Sequence, residues 1–396
     1  MNRNTVSKEI QKIKADNILL ELPTSFGKTK QAIDLMTKIN PASILIIVPR
    51  LVLIDNWKDE INKWSKRKYM WDELVCFSTY VGLKKYEGRH FELVIADECH
   101  HLTNRALEYL GTMKIDKCIM LSATVNKSHL ATLKYNFKDL YHYKVTAKEA
   151  IDSNILPDPR VFLIPYKLDN LNRKYQLELR RSIKGEKITC LYPDRWKYVK
   201  DKRYSTVVAI CTQQEYTTEI SQKIDYWKRM YMRSKNEAIK NKWLFLAGQR
   251  LRMLSTFKSH IITHLLVLLK DYRCLTFCNS IEQTEILGKN CINSKNKESS
   301  EILDRFNRKR VNHITSCNML NEGMNLVDCQ VGIYASLNSS EIMIKQKLGR
   351  LLRHENPVLI IPYFQGTREE EIVEKMLEDY NPELVTKVTS LNQIKI

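Results

Sequence analysis

The sequence predicts an α/β protein built from two parallel-sheet lobes with a basic, mainly helical segment between them. Short runs rich in Ile, Val and Leu alternate with amphipathic stretches in the first part of the chain, and the same alternation returns near its end. Residues 171–260 carry 21 Lys and Arg against 8 Asp and Glu, which is +13 of the net charge of +19. We place the first lobe at 1–150, a linker plus the basic segment at 151–270, and the second lobe at 271–396.

Five apolar runs define the predicted sheet of the first lobe. Each is bounded by turn-forming or polar residues, as expected of strands buried on both faces of a parallel sheet. The runs are 17–22, 43–49, 73–78, 91–97 and 117–124. Amphipathic stretches such as 28–39 and 51–64 predict helices between them, so the lobe is expected to be doubly wound.

The pattern changes after Pro157 and Pro159, which mark a boundary followed by one predicted strand at 160–166. Most of 169–270 has a helical pattern, clearest in 219–242 and 244–270. The alternation then resumes with strands predicted at 273–279, 312–317, 331–336 and 357–364. Capping pairs predict helices that begin at Ser280, Asn338 and Thr367.

The composition restricts the class of protein. A hydrophobic fraction of 43% with 28% charged residues is that of a folded, soluble chain, and no run approaches the ~20 apolar residues of a membrane span. The N-terminus lacks the apolar core of a secretory signal. Ten cysteines, scattered without zinc-site spacing, predict reduced thiols and a cytoplasmic location. The strong basic excess favours a nucleic-acid partner, with a solvated helical surface as the alternative.

The stretch ELPTSFGKTK at 21–30 resembles a phosphate loop because Gly27-Lys28-Thr29 follows a predicted strand and opens a predicted helix. Backbone N–H groups and the helix dipole would hold phosphates there. Lys28 would add a positive charge, and the Thr29 hydroxyl would bind Mg²⁺. Thr24, Ser25 and Phe26 complete the loop. Leu22 stands where the first glycine of such a loop is expected.

Asp97 and Glu98 end the apolar run 91–97, and strand ends of an open parallel sheet share one edge. We expect Asp97 to hold Mg²⁺ through its water shell and Glu98 to orient or deprotonate an attacking water. An acidic turn that caps the next helix is the alternative. Ser122 and Thr124 end a third strand, where their hydroxyls would bond to His100 and report the state of the nucleotide.

The second lobe contains a helix-like stretch, QKLGRLLR at 346–353, in which Gln346, Arg350 and Arg353 share one face. Two arginines presented across a cleft suit the γ-phosphate of a nucleotide, and a basic surface helix is the alternative. The preceding loop at 321–328 contains Gly323, Asn325 and Asp328. It is either a simple turn or a loop that couples nucleotide to nucleic acid.

In chain order these blocks resemble the motifs of superfamily 2 helicases and translocases. The matching stretches are PTSFGKT (23–29), VPRLVL (48–53), DECH (97–100), SAT (122–124), NEGMNLVD (321–328) and QKLGRLLR (346–353). The resemblance covers about residues 10–145 and 272–365. Members of this superfamily often have another residue at the first glycine of the loop, so Leu22 is a tolerated departure.

The resemblance implies two RecA-like lobes with ATP and Mg²⁺ in the cleft between them. The first lobe would supply Lys28, Thr29, Asp97 and Glu98. The second would supply Gln346, to order the γ-phosphate and water, with Arg350 and Arg353. Further nucleotide contacts are implied for Gln11, which matches the place of the adenine-reading glutamine, and for Gly323, Asn325 and Asp328. The implied nucleic-acid contacts are Pro49, Arg50, Thr79, Asn279 and Ser280.

The sequence of residues 48–64 resembles the DNA translocases more than it resembles the DEAD-box RNA helicases. These translocases include phage branch-migration helicases, chromatin remodellers and restriction motors. We therefore expect a monomeric, ATP-dependent DNA helicase or translocase that moves on or remodels branched DNA. It would not bind a membrane, and it would act in the host cytoplasm if it is phage-encoded. An RNA helicase and a non-enzymatic nucleic-acid clamp remain alternatives.

Overall fold

A computed structural model describes residues 2–65, 71, 73–181, 199–201, 206–317, 326–337, 354–378 and 380–396. These residues form two parallel sheets, one in each lobe, and a small antiparallel sheet. Among the helices in these ranges, none has the length and apolar character needed to cross a bilayer.

The first lobe has six parallel strands in the order β3-β2-β4-β5-β1-β6. The strands are β1 (Asn17–Glu21), β2 (Ile44–Val48), β3 (Val75–Thr79), β4 (His90–Ala96), β5 (Lys114–Ser122) and β6 (Tyr141–Lys144). The helices are α1 (Arg3–Lys12), α2 (Lys28–Ile39), α3 (Val52–Trp64), α4 (Asn104–Thr112), α5 (Lys127–Asn136) and α6 (Ala147–Asp152). The five predicted strands are present, and β6 is an edge strand that the sequence did not predict.

Both faces of this sheet are buried. In β1, Ile18 and Leu20 belong to one apolar cluster and Leu19 to the other, because successive side chains of a strand point to opposite faces. The register sets Glu21 beside Ser122 and Val48 beside Thr79. The carboxyl ends of these strands therefore meet at one edge of the sheet, where the predicted motifs lie.

The second lobe has seven parallel strands in the order β12-β13-β11-β14-β15-β7-β16. The strands are β7 (Arg160–Tyr166), β11 (Cys274–Cys278), β12 (Cys291–Ile292), β13 (His313–Cys317), β14 (Val331–Tyr334), β15 (Val358–Phe364) and β16 (Val385–Lys387). The helices are α10 (Ile281–Leu287), α11 (Ser299–Asn307) and α12 (Arg368–Leu377).

Strand β7 corrects the expected domain boundaries. It pairs with β15 along all seven residues and also with β16, so the second lobe begins near residue 160 rather than at 271. The basic segment is consequently an insertion between two strands of the second lobe. Sequence order alone hides this relationship, because β7 and β15 are separated by almost 200 residues.

The insertion is less helical than predicted. Its first part is an antiparallel sheet of β8 (Tyr175–Arg181), β9 (Val199–Asp201) and β10 (Thr206–Cys211), in the order β8-β10-β9. The sequence of β8, YQLELRR, alternates apolar and polar residues over too short a length to stand out within a basic stretch. The rest is α7 (Gln213–Ser234), α8 (Glu237–Phe257) and α9 (Ser259–Leu268).

Helices α7 and α8 form an antiparallel hairpin. Lys235 ends α7 in the left-handed conformation with a φ of 52°, and the Asn236 side chain caps α8. At the base of the hairpin, Phe257 packs in an apolar cluster that includes Phe364 of β15. Next to it, the fully buried Lys258 ammonium donates to Glu369, at 2.6 Å, and to the Pro362 carbonyl. The insertion is thus anchored to the second sheet by packing and by a buried ion pair.

Candidate nucleotide-binding site

The phosphate loop lies between β1 and α2, at the carboxyl edge of the first sheet. Its turn is closed by the Phe26 N–H, which donates to the Pro23 carbonyl. Ser25 and Gly27 have φ values of 71° and 102°, and α2 begins at Lys28. A Cβ atom at Gly27 would meet nothing within 4 Å, so the positive φ, rather than lack of space, requires glycine there.

Leu22 departs from the usual glycine for a structural reason. Its side chain is fully buried, and its N–H donates to the Ser122 carbonyl at 3.0 Å. Leu22 therefore extends the pairing of β1 with β5 by one residue and adds an apolar side chain to the core. The loop turns only after Leu22, and the glycine that matters to its conformation is Gly27.

Lys28 and Glu98 meet in front of this loop. The Lys28 Nζ lies 3.3 Å from Glu98 Oε1, and the two side chains are only 9% and 14% exposed. Glu98 follows β4 in a left-handed conformation with a φ of 49°, which costs a non-glycine residue roughly 1–2 kcal/mol. The strained turn aims the carboxylate back toward the phosphate loop, as expected of a residue placed for function.

Asp97 lies beside this pair, and both of its carboxylate oxygens accept hydrogen bonds. Its Oδ1 accepts from the Glu98 N–H at 3.0 Å, and its Oδ2 accepts from the indole N–H of Trp57 at 2.9 Å. Burial, and then the charge of Glu98, raise the pKa of Asp97 to about 6. The sequence alone does not reveal Trp57, because no local pattern pairs a tryptophan of α3 with a carboxylate 40 residues away.

A polar chain links the site to β5. The His100 Nδ1 lies 3.4 Å from Glu98 Oε2 and 3.1 Å from the Ser122 hydroxyl, which in turn donates to the Thr124 carbonyl at 2.9 Å. The expected contact between His100 and Ser122 is therefore present. Its role in reporting the state of the nucleotide stays a prediction.

Several buried polar atoms around the loop have no hydrogen-bond partner among the described residues. They are Thr24 Oγ1, Lys28 Nζ, Glu98 Oε2 and Thr124 Oγ1, of which Lys28 and Glu98 keep the ionic contacts described above. A buried polar atom without a hydrogen bond costs free energy unless a ligand satisfies it. A cavity of about 700 Å³ is lined by phosphate-loop residues 24–30 with Asp97 and Glu98. Donors, an ammonium group and two carboxylates around one cavity suit a triphosphate with Mg²⁺.

Two residues expected at the nucleotide are placed elsewhere. Gln11 is near the end of α1, where its backbone carbonyl accepts from Lys38, and it does not line the cavity. The Asp328 carboxylate forms an ion pair with the Lys309 ammonium at 2.6 Å, and it also lies 3.5 Å from His354 Nε2. Both contacts are within the second lobe, so the described structure does not bring the Asp328 side chain to the phosphate loop.

The expected nucleic-acid contacts lie at strand ends. Pro49 and the exposed Arg50 follow β2, and Thr79 ends the neighbouring β3, where its hydroxyl accepts from the Gly82 N–H. Asn279 and Ser280 follow β11 in the second lobe. Asn279 donates to the Leu337 carbonyl, and the Ser280 hydroxyl caps α10. These residues lie at or just after the carboxyl ends of strands in the two sheets. Their contact with nucleic acid stays a prediction.

Gln346, Arg350 and Arg353 lie outside the described residues, as do Gly323 and Asn325. The described chain resumes at His354. This residue lines a second cavity, of about 540 Å³, together with Ser25 of the phosphate loop and residues 154–158 between the lobes. Arg353, the last residue of the predicted second-lobe motif, is thus followed in sequence by a residue that lines a cavity with the phosphate loop.

Each lobe matches one protein-family model. Residues 3–127 match the family described as type III restriction enzyme, res subunit, and residues 257–355 match the helicase conserved C-terminal domain. A stretch of 105 residues is 27% identical to the DNA 3'-5' translocase XPB2 of Sulfurisphaera tokodaii, covering 24% of this chain and 24% of that protein. The match therefore spans about a quarter of the relative's length.

Two solved structures align with nearly the whole chain. The Hef helicase domain of Pyrococcus furiosus aligns with a TM-score of 0.51 and 14% identity, over 94% of this chain and 97% of that one. Dbp5 of S. cerevisiae, bound to RNA and ADP BeF3, aligns with a TM-score of 0.62 and 9% identity, over 98% and 89%. Such identities show the fold alone, namely two RecA-like lobes. With one helicase model matching each lobe in the expected order, the chain belongs to the superfamily 2 helicases and translocases.

Proposed function

We propose that this protein is an ATP-dependent DNA helicase or translocase of the branch-migration type, which moves on or remodels branched DNA. The observation that carries the proposal is the buried ion pair of Lys28 and Glu98 at the phosphate loop. The two side chains are 9% and 14% exposed, and beyond this ion pair Lys28 Nζ makes no hydrogen bond among the described residues, so that a bound nucleotide would supply the further acceptors that the ammonium can bind.

The chain's own residues divide the chemistry between them. The N–H groups at the start of α2 and the Lys28 ammonium would bind the phosphates, and Thr29 with Asp97 would hold Mg²⁺. Glu98 would accept the proton of the attacking water. The bound magnesium ion would neutralise charge on the phosphates during transfer. The contacts of His100 with Glu98 and Ser122 would transmit the change in the protonation state of Glu98 to the end of β5.

Arg350 and Arg353 would complete the site from the second lobe, with Gln346 ordering the attacking water. The position of His354 supports this, because it lies directly after Arg353 and lines a cavity with Ser25. Two guanidinium groups brought up by closure of the lobes would stabilise charge on the γ-phosphate, an effect of about 10³–10⁵ in rate.

The α7–α8 hairpin would contact the nucleic acid. Along residues 225–245 it carries six Lys and Arg against two acidic residues. Tyr226 and Phe245 are 51% and 58% exposed, and the Lys242 ammonium lies 5.8 Å from the Phe245 ring. Basic groups interleaved with exposed aromatic rings are typical of surfaces that bind phosphates and stack on bases.

DNA is favoured over RNA because the relative with 27% identity is named a DNA translocase. The test is ATP hydrolysis and strand separation with single-stranded DNA, a DNA fork, a Holliday junction, an R-loop and an RNA duplex. We expect the branched DNAs to stimulate hydrolysis most. Stimulation by RNA alone would overturn the DNA assignment. Remodelling that persists in Lys28→Ala without hydrolysis would instead indicate a clamp.

The hairpin has its own test. Replacing Arg229, Arg233 and Lys242 with Ala should weaken DNA binding and reduce its salt dependence, because each lost phosphate contact lowers the slope of log K against log salt by about 1. The matched control replaces three exposed lysines of the first lobe, Lys12 at the end of α1, Lys114 at the start of β5 and Lys134 in α5. Equal losses in both variants would remove the hairpin from the interface.

A further inference from the structure

A buried tyrosine outside the motifs connects the expected nucleic-acid edge of the first sheet to the acidic turn of the nucleotide site. Tyr80 directly follows Thr79 of β3 and is only 7% exposed. Its hydroxyl donates to the backbone carbonyl of Asp97 at 2.6 Å. Because β2 lies between β3 and β4, this side chain bridges two strand spacings, about 10 Å, along the carboxyl edge of the sheet.

The backbone of Tyr80 is held against the end of β3. Tyr80 begins a 3₁₀ helix, Tyr80–Tyr86, which is capped by the Thr79 hydroxyl as it accepts from the Gly82 N–H at 3.3 Å. A Cβ atom at Gly82 would lie 3.1 Å from Ser78 Oγ and 3.4 Å from Thr79 Oγ1, so a larger residue there would crowd the cap. Thr79, the expected nucleic-acid contact, therefore also fixes the start of the helix that carries Tyr80.

The other end of Tyr80 contacts the turn that aims Glu98. The carbonyl that accepts from Tyr80 belongs to the peptide that joins Asp97 to Glu98, and Glu98 is in the left-handed conformation. The Tyr80 ring also lies 6.4 Å from the ring of His101, which lies 4.4 Å from the ring of His100. His100 in turn contacts Glu98. A shift of Tyr80 would thus reach the strained turn both through its backbone and through its histidines.

We propose that Tyr80 is a positioning residue that transmits the binding of nucleic acid at Thr79 to the carboxylates of Asp97 and Glu98. The inference rests on the proposed function, since it assumes that the chain binds both a nucleotide and DNA. The Thr79 hydroxyl can donate to a DNA phosphate while it accepts from Gly82. That contact would fix the start of the 3₁₀ helix and, through the Tyr80 hydroxyl, the peptide that aims Glu98. DNA would thereby raise the rate of hydrolysis by favouring one arrangement of the turn.

Steady-state ATP hydrolysis by the full chain, with and without saturating forked DNA, tests this proposal. Tyr80→Phe removes only the hydroxyl, so the ratio of DNA-stimulated to unstimulated kcat should fall about three- to tenfold, the range expected for one neutral hydrogen bond. Tyr80 does not line the nucleotide cavity, so KM for ATP should change less than about twofold. Affinity for the fork, measured separately, should be that of the wild type.

The matched control is Tyr86→Phe. Tyr86 ends the same 3₁₀ helix and is also 7% exposed, but its hydroxyl donates to the Phe77 carbonyl of β3, at 3.1 Å. This variant should keep the wild-type ratio of stimulated to unstimulated kcat. Equal losses in the two variants would assign the effect to packing of the 3₁₀ helix and overturn the link to Asp97.

Thr79→Val tests the other end of the connection, because it keeps the shape of the side chain and removes the hydroxyl. At saturating fork it should lower the same ratio. Combined with Tyr80→Phe, it should cost no more than the larger of the two single losses, as expected for residues that act through one connection. Losses that multiply would show that the two residues act independently, contrary to the proposal.

The failure of this inference differs from failure of the proposed function. The inference is overturned if Tyr80→Phe keeps the wild-type ratio, if its kcat falls equally with and without DNA, or if wild-type protein hydrolyses ATP without any stimulation by DNA. Wild-type protein that hydrolyses no ATP, with or without DNA, would overturn the proposed function itself.

Discussion

The Lys28 ammonium and the Glu98 carboxylate stand 3.3 Å apart, across the carboxyl edge of the first sheet. They come from segments 70 residues apart and are brought together by the strand order β4-β5-β1. The cation proposed to bind the phosphates and the carboxylate proposed to accept a proton are therefore adjacent. This pair is the centre of the proposed motor.

Glu98 should be needed for hydrolysis and dispensable for binding. Glu98→Gln keeps the shape of the side chain and removes its ability to accept a proton, so we expect kcat to fall by about 10²–10⁴ while ATP affinity is kept or rises. Single-turnover hydrolysis and equilibrium nucleotide binding measure the two effects. Hydrolysis within a few-fold of wild type would contradict the role given to Glu98.

Trp57 should position Asp97. Trp57→Phe keeps a buried aromatic ring and removes only the 2.9 Å hydrogen bond to Asp97 Oδ2. We expect a several-fold rise in the Mg²⁺ concentration needed for half-maximal hydrolysis, with little change in KM for ATP at saturating Mg²⁺, because the effect acts through the metal ligand.

The matched control for Trp57 is Trp71→Phe. Trp71 is also 2% exposed and belongs to the same apolar cluster, and its indole N–H donates to the Ser65 hydroxyl instead. Equal shifts in Mg²⁺ requirement for the two variants would show that loss of packing, rather than the bond to Asp97, is responsible.

Nucleotide binding should depend on pH through Asp97. Burial raises its pKa from the ordinary 3.8 to about 6, so the folded protein holds this proton more tightly than the unfolded chain does. The stabilisation that Asp97 contributes is thus complete below about pH 3.8 and is lost as the pH rises through about 6. Binding of Mg²⁺ needs the ionised form, so Mg²⁺-dependent ADP affinity should rise over the same window.

Titration calorimetry with MgADP across this window measures that dependence. The Asp97→Asn variant is the control and should show weak binding with a flat profile. A wild-type affinity that does not change between one unit below and one unit above about pH 6 would contradict the assignment of Asp97 as the metal-holding group.

The buried pair of Lys258 and Glu369 should fix the insertion to the second lobe. Lys258→Met leaves a buried carboxylate without its partner, and we expect the free energy of unfolding to fall by about 3–5 kcal/mol. Adding Glu369→Gln should recover much of the loss, because a neutral amide can still accept from the Phe364 N–H. Urea denaturation measures both variants.

An exposed pair serves as control for that experiment. Lys309 and Asp328 lie 2.6 Å apart with side chains 62% and 38% exposed, so Lys309→Met should cost less than about 1 kcal/mol. A Lys258→Met variant as stable as Lys309→Met would show that the buried pair contributes little.

The sequence predicted the features that depend on local pattern. Strands such as Ile44–Val48 are fully apolar because both faces of the sheet are covered, and such continuous apolar runs are visible without a structure. The phosphate loop and the Asp97-Glu98 turn were placed correctly at strand ends because parallel strands share a carboxyl edge. The cap of α10 by Ser280 is likewise local.

What could not be predicted depends on contacts distant in sequence. The pairing of Arg160–Tyr166 with Val358–Phe364 moves the insertion into the second lobe, and no local pattern reports it. The antiparallel sheet of the insertion has short strands within a charged stretch. In the site, the bonds of Trp57 and Tyr80 to Asp97 each join two elements, so neither residue stood out from its neighbours.

The most direct test of the account compares ATP hydrolysis by wild-type protein and Lys28→Ala, each with and without forked DNA, with DNA binding measured alongside. The account predicts that the fork stimulates hydrolysis by the wild type, and that Lys28→Ala loses hydrolysis while it still folds and binds the fork. Hydrolysis by Lys28→Ala at the wild-type rate would contradict the central claim that this loop holds the reacting nucleotide.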